Sequence, residues 1–175
     1  MTPKQTAILD TALKLFAQQG FSATPTSQIA KQAGVSEGLI FRHFTNKDGL
    51  LNSVLQIGAE GFNKKYAEIA AAGDAKAVLR KAILLPFEVP PEEYEFWRLQ
   101  FKLKWELNYH NSEATQPFIE MLQKAFAELS YEQPRLEAMS LMFLIEGLST
   151  TILKSGLDNP EEIQQFLLKK YDLVE

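Results

Sequence analysis

Apolar positions recur at helical spacing from the start of the chain. Ile8, Ala12, Leu15 and Phe16 form one stripe, preceded by Thr2-Pro3-Lys4-Gln5. That tetrad places threonine at an N-cap, proline at the first helical position and glutamine at the third, the pattern of a capping box. Gly20 ends this helix, and Phe21 is placed to fold back on it as in a Schellman cap. Thr24-Pro25 opens a short second helix by the same logic, Gly34 stops it, and Ser36 caps a third. Thr45 or Asn46 begins a fourth that runs to Gly73, with Asp48 near its N-terminal dipole and Gly58 and Gly61 as points of bending.

Five more helices are expected beyond residue 73. Asp74 caps one that ends before Pro86, and Val89-Pro90-Pro91 is a stiff connector. Helices follow from about Glu92 to Tyr109 and from about Glu113 to Leu129. Pro134 opens a long apolar helix that closes at Gly156, and Asn159-Pro160-Glu161-Glu162 is a further capping box starting a helix to about Tyr171. About nine helices and no convincing strand predict an all-α fold. Residues 97–109 dispute this, because they alternate apolar and polar with the period of a strand. A strand of that length would exceed the usual range and finds no partner. As a helix, the segment sets Trp97, Phe101, Trp105 and Tyr109 on one side and Leu99, Leu103 and Leu107 nearly opposite, which suits a helix sandwiched in a bundle.

Composition changes the picture only by exclusion. The 46% apolar and 23% charged residues are those of a folded domain. No apolar run approaches the roughly 18 residues that span a bilayer, and MTPKQTAILD has no signal-peptide pattern. With no cysteine, disulfides and thiolate metal sites are excluded, and a cytoplasmic location is the default expectation. The net charge of −4 divides unevenly: residues 1–58 carry five basic and three acidic side chains, the remainder thirteen and nineteen. A mildly basic head on an acidic body suits a protein presenting one end to phosphate.

The informative segment is Thr24 to Lys47, TPTSQIAKQAGVSEGLIFRHFTNK. Two short helices separated at Ala33-Gly34-Val35 form a helix-turn-helix, whose second helix enters the major groove. Ile29, Ala30, Ala33, Val35, Ile40 and Phe44 have the spacing to lock the pair onto the first helix. Ser36, Glu37, Leu39 and Arg42 are the candidates for base-edge or nearby phosphate contact, and Gly38 permits close backbone approach. Glu37 serves equally well as an acid stabilised in a helix's first turn. Thr24 and Thr26 sit at the mouth of the bracing helix, as caps, phosphate contacts or both.

The runs ILDTALKLFAQQGF, IAKQAGVS and GLIFRHFTNKDGLL resemble the DNA-binding head of TetR (tetracycline-repressor) type regulators, over roughly residues 6–56. The resemblance implies a head at 1–46 and a helical ligand-binding and dimerisation body at 47–175. It implies phosphate contacts by Lys47 and His43. Phe41 stands where the family usually has a tyrosine, keeping the packing and losing the hydroxyl, and Pro25 stands where a hydroxyl residue is common.

The family reading further implies homodimerisation through the last two helices, with Leu136, Met139, Ile145, Gly147, Leu148, Ile152, Leu167, Leu168 and Tyr171 as candidates. The long apolar helix could instead be the body's central core. A small-molecule effector, apolar or aromatic, is also implied. Its candidate lining is Phe62, Tyr66, Trp97, Phe101, Trp105, Phe118, Met121, Met142 and Phe143, with Glu106 or Glu146 to meet a cationic group. Such residues more often fill cores. The expected function is therefore a ligand-responsive repressor that binds a palindromic operator as a dimer. Only two histidines, no glycine-rich phosphate loop and no paired His ligands leave an enzyme without a catalytic or metal motif, and no cofactor is expected. The alternative is a helical interaction module without specific DNA binding.

Overall fold

The computed structural model describes residues 1–106 and 112–174, with side chains except at residues 59, 61, 62, 104, 105 and 112–114. Among the described residues there are nine α-helices and no strand. They are α1 (Pro3–Gln19), α2 (Thr26–Gln32), α3 (Glu37–Phe44), α4 (Lys47–Ala70), α5 (Ala75–Leu84), α6 (Tyr94–Glu106), α7 (Ser112–Glu128), α8 (Pro134–Ser155) and α9 (Pro160–Lys170). Short 3-10 turns at Leu85–Glu88 and Pro91–Glu93 precede α6, where the proline connector was expected.

The alternating segment is helical over its described part. As α6 it presents Leu99 and Leu103, four residues apart and both fully buried, to α1. The demand of that core overrides the local period.

The chain packs as two compact units. The first holds residues 1–62 and 91–110, the second residues 63–90 and 111–175, so α4 contributes to both. In the first, Ile8, Ala12, Leu15 and Phe16 of α1 meet Ile29, Ile40 and Phe44 of α2 and α3, Leu50 and Val54 of α4, and Leu99 and Leu103 of α6. In the second, Val78, Leu79 and Ile83 of α5 meet Phe118, Leu122 and Phe126 of α7, Ala138, Leu141 and Ile145 of α8, and Leu167 and Tyr171 near the C-terminus.

Local signals explain most of the helix ends. Thr2 and Gln5 form the expected capping box, Asp74 accepts the Ala77 N–H at 2.8 Å, and Phe21 folds back to lie 5.2 Å from the Phe16 ring. Three expectations fail. Thr24 is not a cap: it is fully buried, and its hydroxyl donates to the Gly20 carbonyl at 2.7 Å, leaving Pro25 at the start of α2. Asn159 adopts a left-handed conformation at φ 52°, outside the extended backbone usual for a cap, and makes no side-chain cap bond to α9. Third, α8 is long and apolar enough to cross a bilayer by length and composition alone, contrary to the reading that no such stretch exists. Its charged residues lie near its ends, at Arg135, Glu137 and Lys154, with Glu146 the one charge between Ala138 and Leu153. In the fold one side of it, Ala138, Leu141, Ile145 and Leu153, is buried within the second unit.

Candidate nucleic-acid interface

The helix-turn-helix forms as the spacing requires. Gly34 takes a left-handed φ of 66° in the turn between α2 and α3, and a Cβ there would meet nothing within 4 Å. The glycine is therefore needed for its backbone conformation rather than for space. The Val35 N–H donates to the Ala30 carbonyl at 3.0 Å, closing the turn. Ile29 and Ile40, both fully buried, and Phe44 pin the pair to α1.

With Ile40 and Phe44 facing inwards, α3 exposes Ser36, Gly38, Phe41, Arg42 and His43. Phe41 is 42% exposed, a large apolar ring on the outer face of the second helix of the motif. Leu39 is half-buried and packs against the core, which limits its reach towards a base. Glu37 is also half-buried, and the Thr26 hydroxyl donates to its carboxylate at 2.5 Å. This bond ties the start of α2 to the start of α3, using the Thr26 proton and one carboxylate oxygen. Thr24, buried and bonded to the end of α1, has no access to a phosphate, contrary to the reading that set it at the mouth of the bracing helix.

The junction of α3 and α4 is equally defined. Asn46 accepts the Gly49 N–H at 2.7 Å. A Cβ on Gly49 would lie 2.0 Å from the Phe44 carbonyl oxygen, so only glycine permits this close approach. Lys47 then projects over the loop between α1 and α2. Its Nζ lies 4.5 Å from the centre of the Phe21 ring and donates to the Ser22 carbonyl at 3.4 Å. An ammonium has three protons, so two remain for an external acceptor.

Two residues outside the expected set complete the site. The Gln5 side-chain nitrogen lies 3.3 Å from His43 Nδ1, joining the start of α1 to the end of α3. Glu106 accepts the Phe21 N–H at 3.0 Å and the Ser22 N–H at 2.5 Å, so the end of α6 caps the loop beneath Lys47. Partial burial pushes the Glu106 carboxyl upward. Hydrogen bonds from Ser22 and Phe21, with the Lys47 charge, outweigh it and hold the group below the usual carboxylate range. Lys102 Nζ adds a bond to the Gln18 carbonyl at 2.6 Å, neutralising the C-terminal end of α1. Gln5 had been read only as a helix cap and Glu106 only as a pocket acid, because neither contact leaves a trace in local spacing.

Residues 8–54 match the family model of bacterial regulatory proteins, tetR family. The fatty acid metabolism regulator protein of Bacillus subtilis is 30% identical over 157 residues, covering 89% of this chain and 74% of that protein. The chain belongs to the TetR family of bacterial regulatory proteins. The uncharacterized HTH-type transcriptional regulator YuxN of Bacillus subtilis is 27% identical over 193 aligned positions, covering 98% of this chain. The chain spans 63% of that relative's length. Among solved structures, the transcriptional regulator FadR from Bacillus subtilis in complex with stearoyl-CoA shares the fold, with a TM-score of 0.73 at 23% identity over 97% of this chain and 99% of that one.

For a TetR-family chain, the body candidates separate clearly. Trp97 and Phe101 are half-buried in the first unit, and the Trp97 indole donates to Glu93 at 3.2 Å. Tyr66, Phe118, Met121 and Met142 belong to the second. Phe118 is 1% exposed and stacks on Tyr66 at 4.5 Å, and burial pushes the Tyr66 phenol well above its ordinary range. Phe143, expected in the pocket, is 66% exposed. The side chains of Phe62 and Trp105 lie outside the described residues.

Of the dimer candidates, Ile145, Leu167 and Tyr171 are buried in the second unit's own core. Met139, Leu148, Ile152 and Leu168 are half-buried, and Leu136 and Gly147 are exposed. The outward face of α8 runs Leu136, Ser140, Phe143, Gly147 and Thr151, at three- and four-residue spacing, and Phe166 of α9 is 64% exposed.

Proposed function

We propose that this TetR-family chain is a non-catalytic, ligand-responsive transcriptional repressor that binds a palindromic operator as a homodimer. The observation that carries the reading is the outer face of α3. Ser36, Gly38, Phe41, Arg42 and His43 are all exposed there, immediately before Lys47, on a helix-turn-helix rigidly anchored to α1. Arg42 is the candidate for guanine or phosphate, and His43 and Lys47 for phosphate. Glu37, Leu39 and Thr26 act chiefly in holding α3 in place. Residues 1–46, joined by Lys47 at the start of α4, are read as the DNA-recognition head, and the rest of 47–175 as the part that holds the effector and the dimer contact.

The exposed Leu136 and Phe143 on the outward face of α8, with Phe166 of α9, support self-association, since large apolar side chains left outside the unit's own core want a second surface to cover them. The effector is read as apolar or aromatic. Support comes from Tyr66, Phe118, Met121 and Met142 in the body and from the stearoyl-CoA bound by the Bacillus subtilis FadR. Operator binding with a cytoplasmic location follows from the same reading.

Anisotropy titrations of a bound duplex at several salt concentrations test the contact set. Lys47→Ala should weaken binding evenly across sequences and reduce the salt slope by about one. Arg42→Ala should relax discrimination by about 1–3 kcal/mol at one base pair, if it reads a base. Salt slopes unchanged by Lys47→Ala would remove that lysine from the interface.

A further inference from the structure

We infer that Gln5 is a positioning residue for His43, holding its ring in the tautomer that keeps the proton on Nε2, the atom left to donate to a phosphate. The inference rests on the proposed contact between His43 and DNA, and it begins at the helix cap.

The Thr2 backbone N–H lies 2.8 Å from one side-chain atom of Gln5, and the Gln5 N–H donates back to the Thr2 hydroxyl at 3.3 Å. A backbone N–H can only donate, so the Gln5 atom facing it must be the carbonyl oxygen Oε1. The capping box therefore settles which way the amide lies. Its other end, the NH2 group, is then the atom 3.3 Å from His43 Nδ1. An amide NH2 only donates, so Nδ1 has to supply a lone pair. In the neutral imidazole the single proton then sits on Nε2.

His43 is exposed at the end of α3, and Gln5 is anchored in the first turn of α1, 38 residues away in sequence. The capping box thus does two things at once. It starts α1, and it makes the outward nitrogen of His43 a donor without requiring a charged ring. Phosphate oxygens only accept, so a neutral histidine with the opposite tautomer would offer them nothing from that atom.

Two measurements test this. In the absence of DNA, the 15N shifts of the His43 ring would be recorded at alkaline pH, assigned with a His43→Asn variant beside His110, the only other histidine. The wild-type chain should show protonated Nε2 and acceptor Nδ1. Gln5→Glu keeps a capping-box residue at this position but offers Nδ1 only acceptors, so the proton should move to Nδ1. A protonated Nδ1 in the wild-type chain, or ring shifts indifferent to Gln5→Glu, would overturn the inference. The second measurement is operator affinity of Gln5→Leu, expected to fall about two- to tenfold for one hydrogen bond misdirected, with helix content by circular dichroism unchanged. His43→Ala binding like wild type would instead sink the phosphate contact itself, leaving the DNA-free tautomer result to stand alone. The two failures are thereby separated.

Discussion

Replacing Glu106 with alanine removes the cap from the loop between α1 and α2, and the structure sets the size of the effect. The carboxylate receives two backbone N–H groups, from Phe21 at 3.0 Å and Ser22 at 2.5 Å. A desolvated hydrogen bond to a charged acceptor is worth about 1.5–3 kcal/mol. Here the carboxylate and Ser22 are exposed, so solvent screening and replacement by water reduce that figure. The Phe21 N–H, on a residue 9% exposed, is the partner that loses most. The expected net cost of Glu106→Ala is about 1–2 kcal/mol, with Glu106→Gln intermediate because one acceptor oxygen remains. The folded carboxyl is held below its usual range. Its contribution is therefore fully present above the unfolded value of about 4.3 and disappears as pH falls through the folded value. Both tryptophans, Trp97 and Trp105, fall within the first unit, so urea unfolding followed by tryptophan emission reports on that unit. The variant should unfold at a lower urea midpoint with an unchanged slope at pH 7, and the gap from wild type should narrow as pH falls below the unfolded carboxyl value of about 4.3. Equal midpoints at pH 7, or a gap independent of pH, would refute the reasoning.

Gly49→Ala places a methyl 2.0 Å from the Phe44 carbonyl oxygen and should cost about 1–3 kcal/mol. It should also weaken operator binding by shifting Lys47 relative to α3, measured by the same urea titration and by anisotropy. Phe143→Lys changes a side chain 66% exposed, so each protomer should keep its helix content. Sedimentation velocity should nevertheless show the dimer shifted to monomer, and an unchanged sedimentation coefficient would remove α8 from the interface.

Where a role depends on residues close in sequence, it could be read from the chain. The capping box at Thr2, the turn at Gly34 and the inward positions Ile29, Ile40 and Phe44 all follow from spacing and turn chemistry, and together they specify the helix-turn-helix. The two-sided apolar character of α8 was equally visible as composition. What spacing could not give is which side of α8 the second unit covers, so Ile145 and Phe143 were assigned without knowing that one is buried and the other exposed. Thr24-Pro25 has the same appearance whether the threonine caps α2 or turns back to the Gly20 carbonyl, and tertiary packing decides it. Glu106 and the loop it caps lie about 84 residues apart, and Gln5 and His43 lie 38 apart, joined by single side-chain contacts that impose no period on the sequence. Such contacts surround the recognition helix here, which is why the helix itself was found and its supports were not.

The central claim is sequence-specific operator binding by a dimer through α3 and Lys47. Selection of bound duplexes from a randomised pool, run beside a Lys47→Ala/His43→Ala double variant, tests it most directly. The account predicts enrichment of an inverted repeat with half-sites about one helical turn apart, abolished in the double variant. Salt-sensitive retention of DNA without any enriched sequence, or equal enrichment by both proteins, would contradict it.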